Sequence, residues 1–325
     1  MTSDQAETSP LVSVLMLTRN HAPFLAQAIN SVQAQSLANW ELLIGDDHST
    51  DGTGTIARQA AVNDQRIRVI SSNAAPIGFH CNFSRLLAAS RAPFVAFLEG
   101  DDWWCFASKL EQQLALLQAD GSLAFCGGRT QVLDQRQPPQ ENRIEATGWR
   151  QEISPPPGCH RITFDQLIDG YCFHFSSVLM RRHAVELPDW IRQSYCLDRP
   201  LYLLGACHGD AGVLDQVVSI YRLHGGGIWA PLSPLQKARR SHALFLSFCR
   251  HFPHQHRRRF RLALSHIHWS YLAEALQQNR RMQTLAILIF AIYAAPELRL
   301  HRQPRITIGV VLRALLPTRI YQRCS

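Results

Sequence analysis

The chain has 325 residues, of which 46% are hydrophobic and 18% are charged, so it is long enough to bury one large core or two ordinary ones. Its nine cysteines include no CxxC pair, which argues against a disulfide framework and a zinc cluster and favours a reducing cytoplasm. Charge divides the chain: residues 1–231 hold 17 Lys and Arg against 23 Asp and Glu (net −6), whereas residues 232–325 hold 16 against 2 (net +14).

No stretch of the sequence has a membrane-targeting or membrane-spanning pattern. Residues 1–10, MTSDQAETSP, are polar, lack the basic and apolar stretches of a signal peptide, and are predicted to be disordered. The longest apolar run, residues 282–295, has 14 residues, fewer than the about 20 that a transmembrane helix needs. We therefore predict no transmembrane helix and a cytoplasmic location.

The first part of the chain alternates buried strands with helices. Residues 11–17, LVSVLML, form a continuous apolar run that predicts a strand, and apolar residues at helical spacing follow from Pro23. Residues 40–44, WELLI, predict a second strand, after which Asp46 and Asp47 precede the turn HSTDGT, whose polar residues can cap the next helix. A third strand and a further helix are predicted at residues 67–70 and 83–89.

Residues 93–104, PFVAFLEGDDWW, form the stretch around which the other predictions are arranged. Apolar residues 94–98 predict a strand buried on both faces, and Glu99, Asp101 and Asp102 follow it at once. Acids at this end of a strand lie where open α/β sheets bind ligands, and like charges stay ionised there when a cation lies between them. Only oxygen ligands are offered, so Mg²⁺ or Mn²⁺ suits the stretch better than zinc. The alternative is an acidic turn that caps the following helix.

After this stretch, a helix with one apolar face is predicted over residues 109–119. A fifth strand is predicted over residues 123–126, and Gly127 and Gly128 are expected to end it. Residues 129–158 are rich in Pro, Gln and charge. We predict an irregular connection over the sheet for them.

Residues 173–182 and 213–223 regain strand character, a helix begins at Asp198, and glycines 225–227 predict a mobile loop that can close over a ligand. Alternation of this kind predicts a mainly parallel sheet with helices on both faces. The chain has no GxGxxG after its first strand and no GxxxxGK[ST] motif, so neither a dinucleotide-binding site nor a P-loop is supported. We expect a divalent metal on the carboxylates to hold phosphates instead, because it neutralises a diphosphate directly.

Six segments in order give the chain a resemblance to a known family. They are VSVLMLTRN, WELLIGDDHSTDGT, FVAFLEGDDWW, HFSSVLMRR, LDRPLYLL and VVSIYRLHGGGIW. With these segments, the first 230 residues resemble a family 2 glycosyltransferase of the bacterial cell-surface glycan type. The resemblance implies a GT-A fold, which is a Rossmann-like, mainly parallel α/β sheet with helices on both faces. Here a basic C-terminal α-helical extension follows it.

The resemblance also implies roles for individual residues. In such enzymes the acids after the second strand contact the nucleoside of a nucleotide-sugar, and those after the fourth hold a divalent metal on its diphosphate. Asp46 and Asp47 match the first role, and Asp101 matches the second. His224 matches a residue that completes the metal shell, and Asp198 matches the catalytic base. The other residues assigned to the donor are Thr18, beside the nucleotide base, and Asn20.

The sequence departs from the family pattern at three places. Glu99 stands where the first acid of the metal motif is more usually Asp, so Glu99 and Asp102 are only candidate additional ligands. An Arg expected before the fourth strand is absent, since Cys81 and Asn82 stand there, and Arg85 is a candidate substitute. His174 lies in a predicted strand whose counterpart faces the acceptor cleft, although a His between two Phe residues is more often structural.

The implied function is that of a metal-dependent inverting glycosyltransferase. It would move a sugar from a UDP-sugar or another nucleotide-sugar to a hydroxyl of a saccharide or lipid-linked acceptor in cell-surface glycan synthesis. Asp198 would take the acceptor's proton while Mg²⁺ or Mn²⁺ on Asp101 and His224 stabilises the departing diphosphate. One alternative is a sugar nucleotidyltransferase, although TRNHAPFL lacks the Gly-rich loop that such enzymes need. The other is a non-catalytic module that binds a nucleotide-sugar or a glycan.

Charge and motifs together predict a catalytic domain over residues 11–231 and a basic tail of amphipathic helices over residues 232–325. Such helices can lie in a membrane interface, where each basic residue gains about 1 kcal/mol from anionic lipid. We therefore predict peripheral attachment to the inner face of the plasma membrane. The alternative is packing onto the core or onto a second copy in a homodimer. Nucleic acid is not expected as a partner, because the sequence has no reader motif and its first 231 residues are acidic.

Overall fold

A computed structural model of the chain describes residues 9–71, 75–135, 144–146, 158–170, 173–227, 229 and 231–294. The chain divides into two compact units, Met1–His224 and Gly225–Ser325. Of the N-terminal segment predicted to be disordered, residues 1–8 lie outside the described part. The assignment of a catalytic domain to residues 11–231 stays a prediction.

The first unit alternates strands and helices along most of its length. Its strands are β1 (Val12–Thr18), β2 (Trp40–Asp46), β3 (Ile67–Val69), β4 (Phe94–Glu99), β5 (Trp103–Trp104), β6 (Leu123–Asp134), β7 (Ile144–Ala146), β8 (Arg161–Ile162), β9 (Leu179–Arg181) and β10 (Asp210–Leu223). Its helices are α1 (Ala22–Gln33), α2 (Thr53–Asn63), α3 (Phe79–Ala89), α4 (Lys109–Ala119), α5 (Phe164–Ile168) and α6 (Asp198–Gly205). Short 3-10 helices span Phe175–Ser177, Arg182–Ala184 and Asp189–Gln193.

One sheet orders the described strands as β3-β2-β1-β4-β9-β6-β10-β5, with β7 and β8 paired to β6 and β10. Strands β3, β2, β1 and β4 are mutually parallel, whereas β9 runs antiparallel to both of its neighbours. β6 and β10 are parallel to each other, and β5 is antiparallel to β10. The sheet therefore has a parallel half built from the first part of the chain, and the predicted α/β class is confirmed.

The parallel half forms because its strands are apolar on both faces. All seven residues of β2 are buried, as are six of the seven in β1 and five of the six in β4. Helix α1 covers part of this core with an apolar stripe at helical spacing. The stripe consists of Leu25, Ala28, Ile29 and Val32. Burial of a Leu, Ile or Val side chain contributes about 1.5–3 kcal/mol relative to its exposure to water.

Strand β6 is longer than the sequence pattern predicted. It runs through Gly127 and Gly128 to Asp134, so the prediction that the glycines end it is wrong. Both glycines lie in the strand because neighbours fill the space where a side chain would stand. A Cβ on Gly127 would lie 2.3 Å from a ring carbon of Phe173, and one on Gly128 would lie 2.7 Å from the Val218 side chain.

Two further segments also differ from their predictions. Within the predicted irregular connection 129–158, the first residues continue β6 and β7 pairs antiparallel with it, while 136–143 and 147–157 lie outside the described residues. Segment 173–182 is mostly not a strand, because a 3-10 helix precedes the three-residue β9. His174 Nδ1 accepts the Ser176 N–H, and this local hydrogen bond curls the chain at the point where a strand was predicted.

The described part of the second unit is helical, as the basic extension was predicted to be. It contains α7 (Pro234–His251), α8 (Arg257–Gln277) and α9 (Arg281–Ala294). Helix α7 begins with a capping box, in which Ser233 Oγ accepts the Gln236 N–H and Gln236 Oε1 accepts the Ser233 N–H. Lys237 on α7 donates to Glu274 on α8 at 2.9 Å. Among the described helices, none is long and apolar enough to span a membrane.

The outward face of α9 is apolar. Met282 is 78% exposed and Ile289 is 56% exposed, and Leu285 and Ala286 lie between them at the spacing of a single helix face. We call these four residues the α9 stripe. Arg281 is the one charged residue in the sequence of α9, and it precedes Met282 at the N-terminal end of the stripe.

Candidate active site

The ends of β1, β2 and β4 lie side by side and in register. Thr18 pairs with Asp46 at the end of β2, and Leu17 pairs with the last residue of β4. Just beyond the strands, the Asp47 N–H donates to the Thr18 carbonyl at 3.0 Å, and the Gly100 N–H donates to the Leu17 carbonyl at 2.8 Å. The loops that follow the three strands therefore start from one edge of the sheet, where open α/β sheets bind ligands.

Asp46 and Asp47 are both buried at the end of β2, and backbone groups hold each of them. Asp47 Oδ1 accepts the Ile77 N–H at 2.7 Å, and its Oδ2 accepts the Gly78 N–H at 3.0 Å. Asp46 Oδ1 accepts the N–H and the hydroxyl of Ser49 at 3.1 and 2.6 Å. Asp47 thus fixes the loop that leads into α3, and Asp46 fixes the turn after β2. Their contacts with a nucleoside stay predictions.

Thr18 and Asn20 have different surroundings at the end of β1. Thr18 is 3% exposed, and its Oγ1 has no hydrogen-bond partner among the described residues. A buried hydroxyl costs free energy unless a ligand or water satisfies it. The place of Thr18 beside the nucleotide base stays a prediction. Asn20 is exposed with φ 55°, and its Oδ1 accepts the Thr50 N–H while its own N–H donates to Ser49 Oγ. Asn20 therefore ties two loops together, which the sequence pattern did not indicate.

Arg85 lies beside the acids that end β2. Its Nη2 donates to Asn82 Oδ1 at 2.6 Å and approaches the Asp46 carbonyl at 3.4 Å, and Asn82 Nδ2 donates to the Gly45 carbonyl. Burial lowers the pKa of Arg85, while Asp47 and Asp46 oppose that effect. Arg85 therefore lies beside Asp46 and Asp47, and its role as a substitute for the missing family Arg stays a prediction.

Asp101 and His224 come together from segments far apart in the chain. His224 Nε2 lies 2.9 Å from Asp101 Oδ2, and His21 Nε2 lies 3.6 Å from the same oxygen. Burial alone would raise the pKa of Asp101, but the hydrogen bond from His224 and the charges of His21 and His224 lower it below its usual value. Burial lowers the pKa of His21, against the opposing effect of Asp101. Carboxylate and neutral imidazole are both metal ligands, so this donor set fits a divalent ion.

The two acids proposed as additional ligands lie in a second cluster. Glu99, Asp102 and His174 each offer a ligand atom within 4.8 Å of the others. Asp102 is fully buried, and its oxygens already accept the Ser176 hydroxyl at 2.7 Å and the Arg222 N–H at 3.0 Å. Asp102 is therefore an anchor of the fold as well as a candidate ligand. His174 belongs to this cluster through a turn, not through the strand predicted for it.

Arg222, which sequence reasoning missed, holds the metal motif in place. Its Nε donates to the Asp101 carbonyl at 2.8 Å, and its guanidinium lies 4.6 Å from the ring centroids of both Phe24 and Trp103. Its Nη1 donates to Gln135 Oε1 at 2.8 Å, and its Nη2 donates to Gln27 Oε1 at 2.7 Å. Burial lowers the pKa of Arg222, and Asp102 and Asp101 oppose the shift. The only signal in the sequence was its position two residues before His224.

Asp198 is the first residue of α6, and a hydrogen bond links the segment before it to the start of α3. Gly78, which Asp47 holds, precedes α3, and His80 near the start of α3 is 2.7 Å from the Ser194 carbonyl. Ser194 Oγ in turn donates to the Cys196 carbonyl at 2.7 Å. Burial raises the pKa of the Cys196 thiol well above its usual value, and the adjacent Asp198 carboxylate adds to the rise. The catalytic role of Asp198 stays a prediction.

The fold and the acids at its strand ends define a GT-A glycosyltransferase. The structure of TarS from S. aureus with UDP-GlcNAc matches with a TM-score of 0.62 and 16% identity, over 88% of this chain and 82% of that one. The mannosyltransferase PcManGT from Pyrobaculum calidifontis, solved with GDP-Man and Mn²⁺, matches with a TM-score of 0.56 and 15% identity, over 95% and 86%. The family model Glycosyl transferase family 2 matches residues 13–187, more than half of the chain, which therefore belongs to that family.

Curated relatives match over a shorter part of the chain. An uncharacterized protein of Mycobacterium tuberculosis is 26% identical over 219 residues, which are 67% of this chain and 60% of the relative. WfgD of Escherichia coli, named as a UDP-Glc:alpha-D-GlcNAc-diphosphoundecaprenol beta-1,3-glucosyltransferase, is 33% identical over 124 residues, which are 38% of this chain and 47% of WfgD. The chain thus spans 60% and 47% of the lengths of these two relatives.

Proposed function

We propose that the chain is a metal-dependent, inverting glycosyltransferase that moves a sugar from a nucleotide-sugar to an acceptor hydroxyl. The observation that carries the proposal is the 2.9 Å contact between Asp101 and His224, formed at the same sheet edge as the acids that end β2. Membership of the family supports the reaction class. The neighbours solved with UDP-GlcNAc and GDP-Man support a nucleotide-sugar donor.

Asp101 and His224 would hold Mg²⁺ or Mn²⁺ in this proposal, and the neighbour solved with Mn²⁺ supports such an ion. When bound, the ion neutralises the diphosphate and stabilises the charge that develops on the leaving group. Arg222 holds the backbone of Asp101, so the carboxylate keeps its position toward His224. The ends of β1 and β2, with Thr18, Asp46 and Asp47, would bind the nucleoside.

Asp198 would act as the base. It takes the proton from the acceptor hydroxyl as that oxygen attacks the anomeric carbon from the face opposite the diphosphate. The new C–O bond forms while the bond to the diphosphate breaks, and its electron pair leaves on the diphosphate oxygen. A single displacement of this kind inverts the anomeric centre and needs no covalent intermediate.

The acceptor is proposed to be a saccharide or a lipid-linked saccharide of the cell surface. The printed name of WfgD, which refers to a diphosphoundecaprenol-linked sugar, supports the lipid-linked case. The second unit supports attachment to an anionic membrane surface, because its described residues 232–294 hold ten Lys and Arg against one acid and present the apolar α9 stripe.

Nucleotide-dependent thermal stabilisation tests the metal part of the proposal. We expect UDP or GDP to raise the melting temperature with Mn²⁺ present and not in EDTA, because the acids at the strand ends otherwise repel the diphosphate. Asp101→Asn should lose this rise, whereas Asp215→Asn, which changes an exposed acid, should keep it. Equal stabilisation in EDTA would count against a metal on Asp101. Incubation with a panel of nucleotide-sugars and saccharide acceptors then tests transfer itself.

A further inference from the structure

His21 lies in the loop between β1 and α1, and its ring points at the contact between Asp101 and His224. His21 Nε2 is 3.6 Å from Asp101 Oδ2, and His224 Nε2 is 2.9 Å from the same oxygen. The two imidazole rings are nearly perpendicular, with centroids 6.2 Å apart. The loops after β1, β4 and β10 therefore each contribute one potential ligand atom, and two imidazole nitrogens lie near the same oxygen of Asp101.

The backbone fixes the position of His21 on both sides. Its N–H donates to Thr53 Oγ1 at 2.8 Å, and its carbonyl accepts the N–H groups of Phe24 and Leu25, both at 2.9 Å, as the first acceptor of α1. Gly100 leaves room for the ring, because a Cβ there would lie 3.1 Å from His21 Nδ1. The backbone of His21 is thus held in place at the end of β1.

No hydrogen bond explains why the His21 ring points inward. The 3.6 Å between its Nε2 and Asp101 Oδ2 is too long for a hydrogen bond, and its buried Nδ1 has no partner in the part of the chain that the structure describes. Two ligands of one ion, each bonded at about 2.1 Å, stand about 3.0–4.2 Å apart, depending on the angle between the bonds. The distances from both histidines to Asp101 are close to that range.

We propose that His21 is a third protein ligand of the divalent ion held by Asp101 and His224, so that the site offers two imidazoles and one carboxylate. The inference rests on the proposed metal role of Asp101 and His224 and adds a preference between the two candidate ions. Imidazole ligands favour first-row transition ions, whereas Mg²⁺ prefers oxygen ligands and water. The site should therefore bind Mn²⁺ in preference to Mg²⁺, a preference that the acids of residues 93–104 alone did not predict.

Mn²⁺ titration of the full chain, with free Mn²⁺ followed by electron paramagnetic resonance, tests this assignment. We expect His21→Ala to weaken Mn²⁺ binding by about tenfold or more, as loss of a ligand does, and to change Mg²⁺ competition much less. The matched control is His208→Ala, which removes a His that contacts a carboxylate, Glu186, at 2.7 Å elsewhere in the same unit. This control should bind Mn²⁺ as the unchanged chain does.

The outcomes separate the two proposals. If His21→Ala binds Mn²⁺ like the unchanged chain while Asp101→Asn does not bind it, His21 is no ligand and the metal role of Asp101 stands. If Asp101→Asn also keeps full Mn²⁺ binding, both assignments fail. Pulsed paramagnetic resonance of Mn²⁺ on the unchanged chain gives an answer even if His21→Ala does not fold. Two coordinated imidazole nitrogens support the assignment, and a single one overturns it.

Discussion

Asp198 is the residue whose substitution separates chemistry from donor binding most sharply. Asp198→Asn keeps the size of the side chain and removes the base, so we expect kcat to fall by about 100- to 10,000-fold while nucleotide-dependent thermal stabilisation remains. Asp189→Asn is the matched control, because the Asp189 side chain is 98% exposed in the same unit. Turnover near that of the unchanged chain would leave Asp198 as the first residue of α6 without a catalytic role.

Lys109 gives the first unit a pH dependence of stability. It is fully buried at the start of α4, its Nζ donates to Gln113 Oε1 at 2.7 Å, and burial lowers its pKa from 10.5 to about 7, with Cys126 opposing the shift. Above pH 7 the unfolded chain still binds a proton at Lys109 and the folded chain does not, so the free energy of unfolding rises with pH there. At pH 7 and below, burial of the charged ammonium lowers the free energy of unfolding by most of about 5 kcal/mol.

Replacing that lysine tests the pH effect. We expect Lys109→Met to raise the free energy of unfolding at pH 7 by about 1–4 kcal/mol and to flatten its increase between pH 7 and 8.5, because the buried charge is gone. Urea unfolding at several pH values measures both quantities. Lys237→Met is the control, since Lys237 is paired with Glu274 in the other unit. The same slope with and without Lys109 would assign the pH dependence to other groups.

At the level of elements, β6 shows how a tight contact sets the path of a strand. Gly127→Ala must displace Phe173, whose ring is packed against Phe125 and Tyr202, so we expect a loss of about 1–3 kcal/mol of stability. Gly121→Ala is the control, because no atom lies within 4 Å of the position of its Cβ. Urea unfolding compares the two variants. Equal stability of both would mean that Phe173 moves aside at little cost.

The elements that the sequence predicted best are those whose pattern is local. The runs that became β1, β2 and β4 are mostly apolar and only six or seven residues long, a pattern that favours a strand buried on both faces. The path of β6 through its glycines depends instead on Phe173 and Val218, which lie far along the chain. No local pattern reports such a contact, so the prediction there was wrong.

The candidate site likewise contains residues that the sequence pattern indicated and residues that it did not. Asp101 and His224 were found because acids and histidines at strand ends match a known pattern, and their carboxylate and imidazole do meet. His21 and Arg222 were missed because their roles come from three-dimensional packing: one ring is aimed by a helix start, and one guanidinium lies between two aromatic rings. Residues that position a site are hard to predict from types and spacing alone.

For the whole molecule, the proposed membrane attachment would depend on charge and on exposed apolar surface together. We expect the full chain to cosediment with vesicles that contain anionic lipid, weakly with neutral vesicles, and less as salt rises, because exposed charges are screened beyond about 8–10 Å. Met282→Glu with Ile289→Glu should reduce binding strongly, since both side chains of the α9 stripe are exposed. Val62→Glu, which changes a side chain that is 78% exposed in the first unit, should not.

Two results would contradict this expectation. One is a full chain that ignores anionic vesicles at low salt, and the other is a Met282→Glu, Ile289→Glu variant that binds them normally. A chain that ignores vesicles and elutes as a dimer that the same two substitutions dissociate would instead assign the α9 stripe to contact between two copies.

The neighbouring acids Asp101 and Asp102 have different environments after β4. Asp102 is buried and accepts hydrogen bonds from the Ser176 hydroxyl and the Arg222 backbone N–H, whereas the Asp101 carboxylate lies near the imidazoles of two histidines. Both residues are aspartates, so their distance in residues from the end of β4, and not their chemical type, determines the environment of each carboxylate. One residue deleted within β4 would bring Asp102 to the position of Asp101, and one residue inserted would bring Asp101 to the position of Asp102, while the composition of the motif stayed intact. When related chains are sorted into active and inactive ones, the spacing from the last apolar residue of β4 is therefore as informative as the presence of the acids.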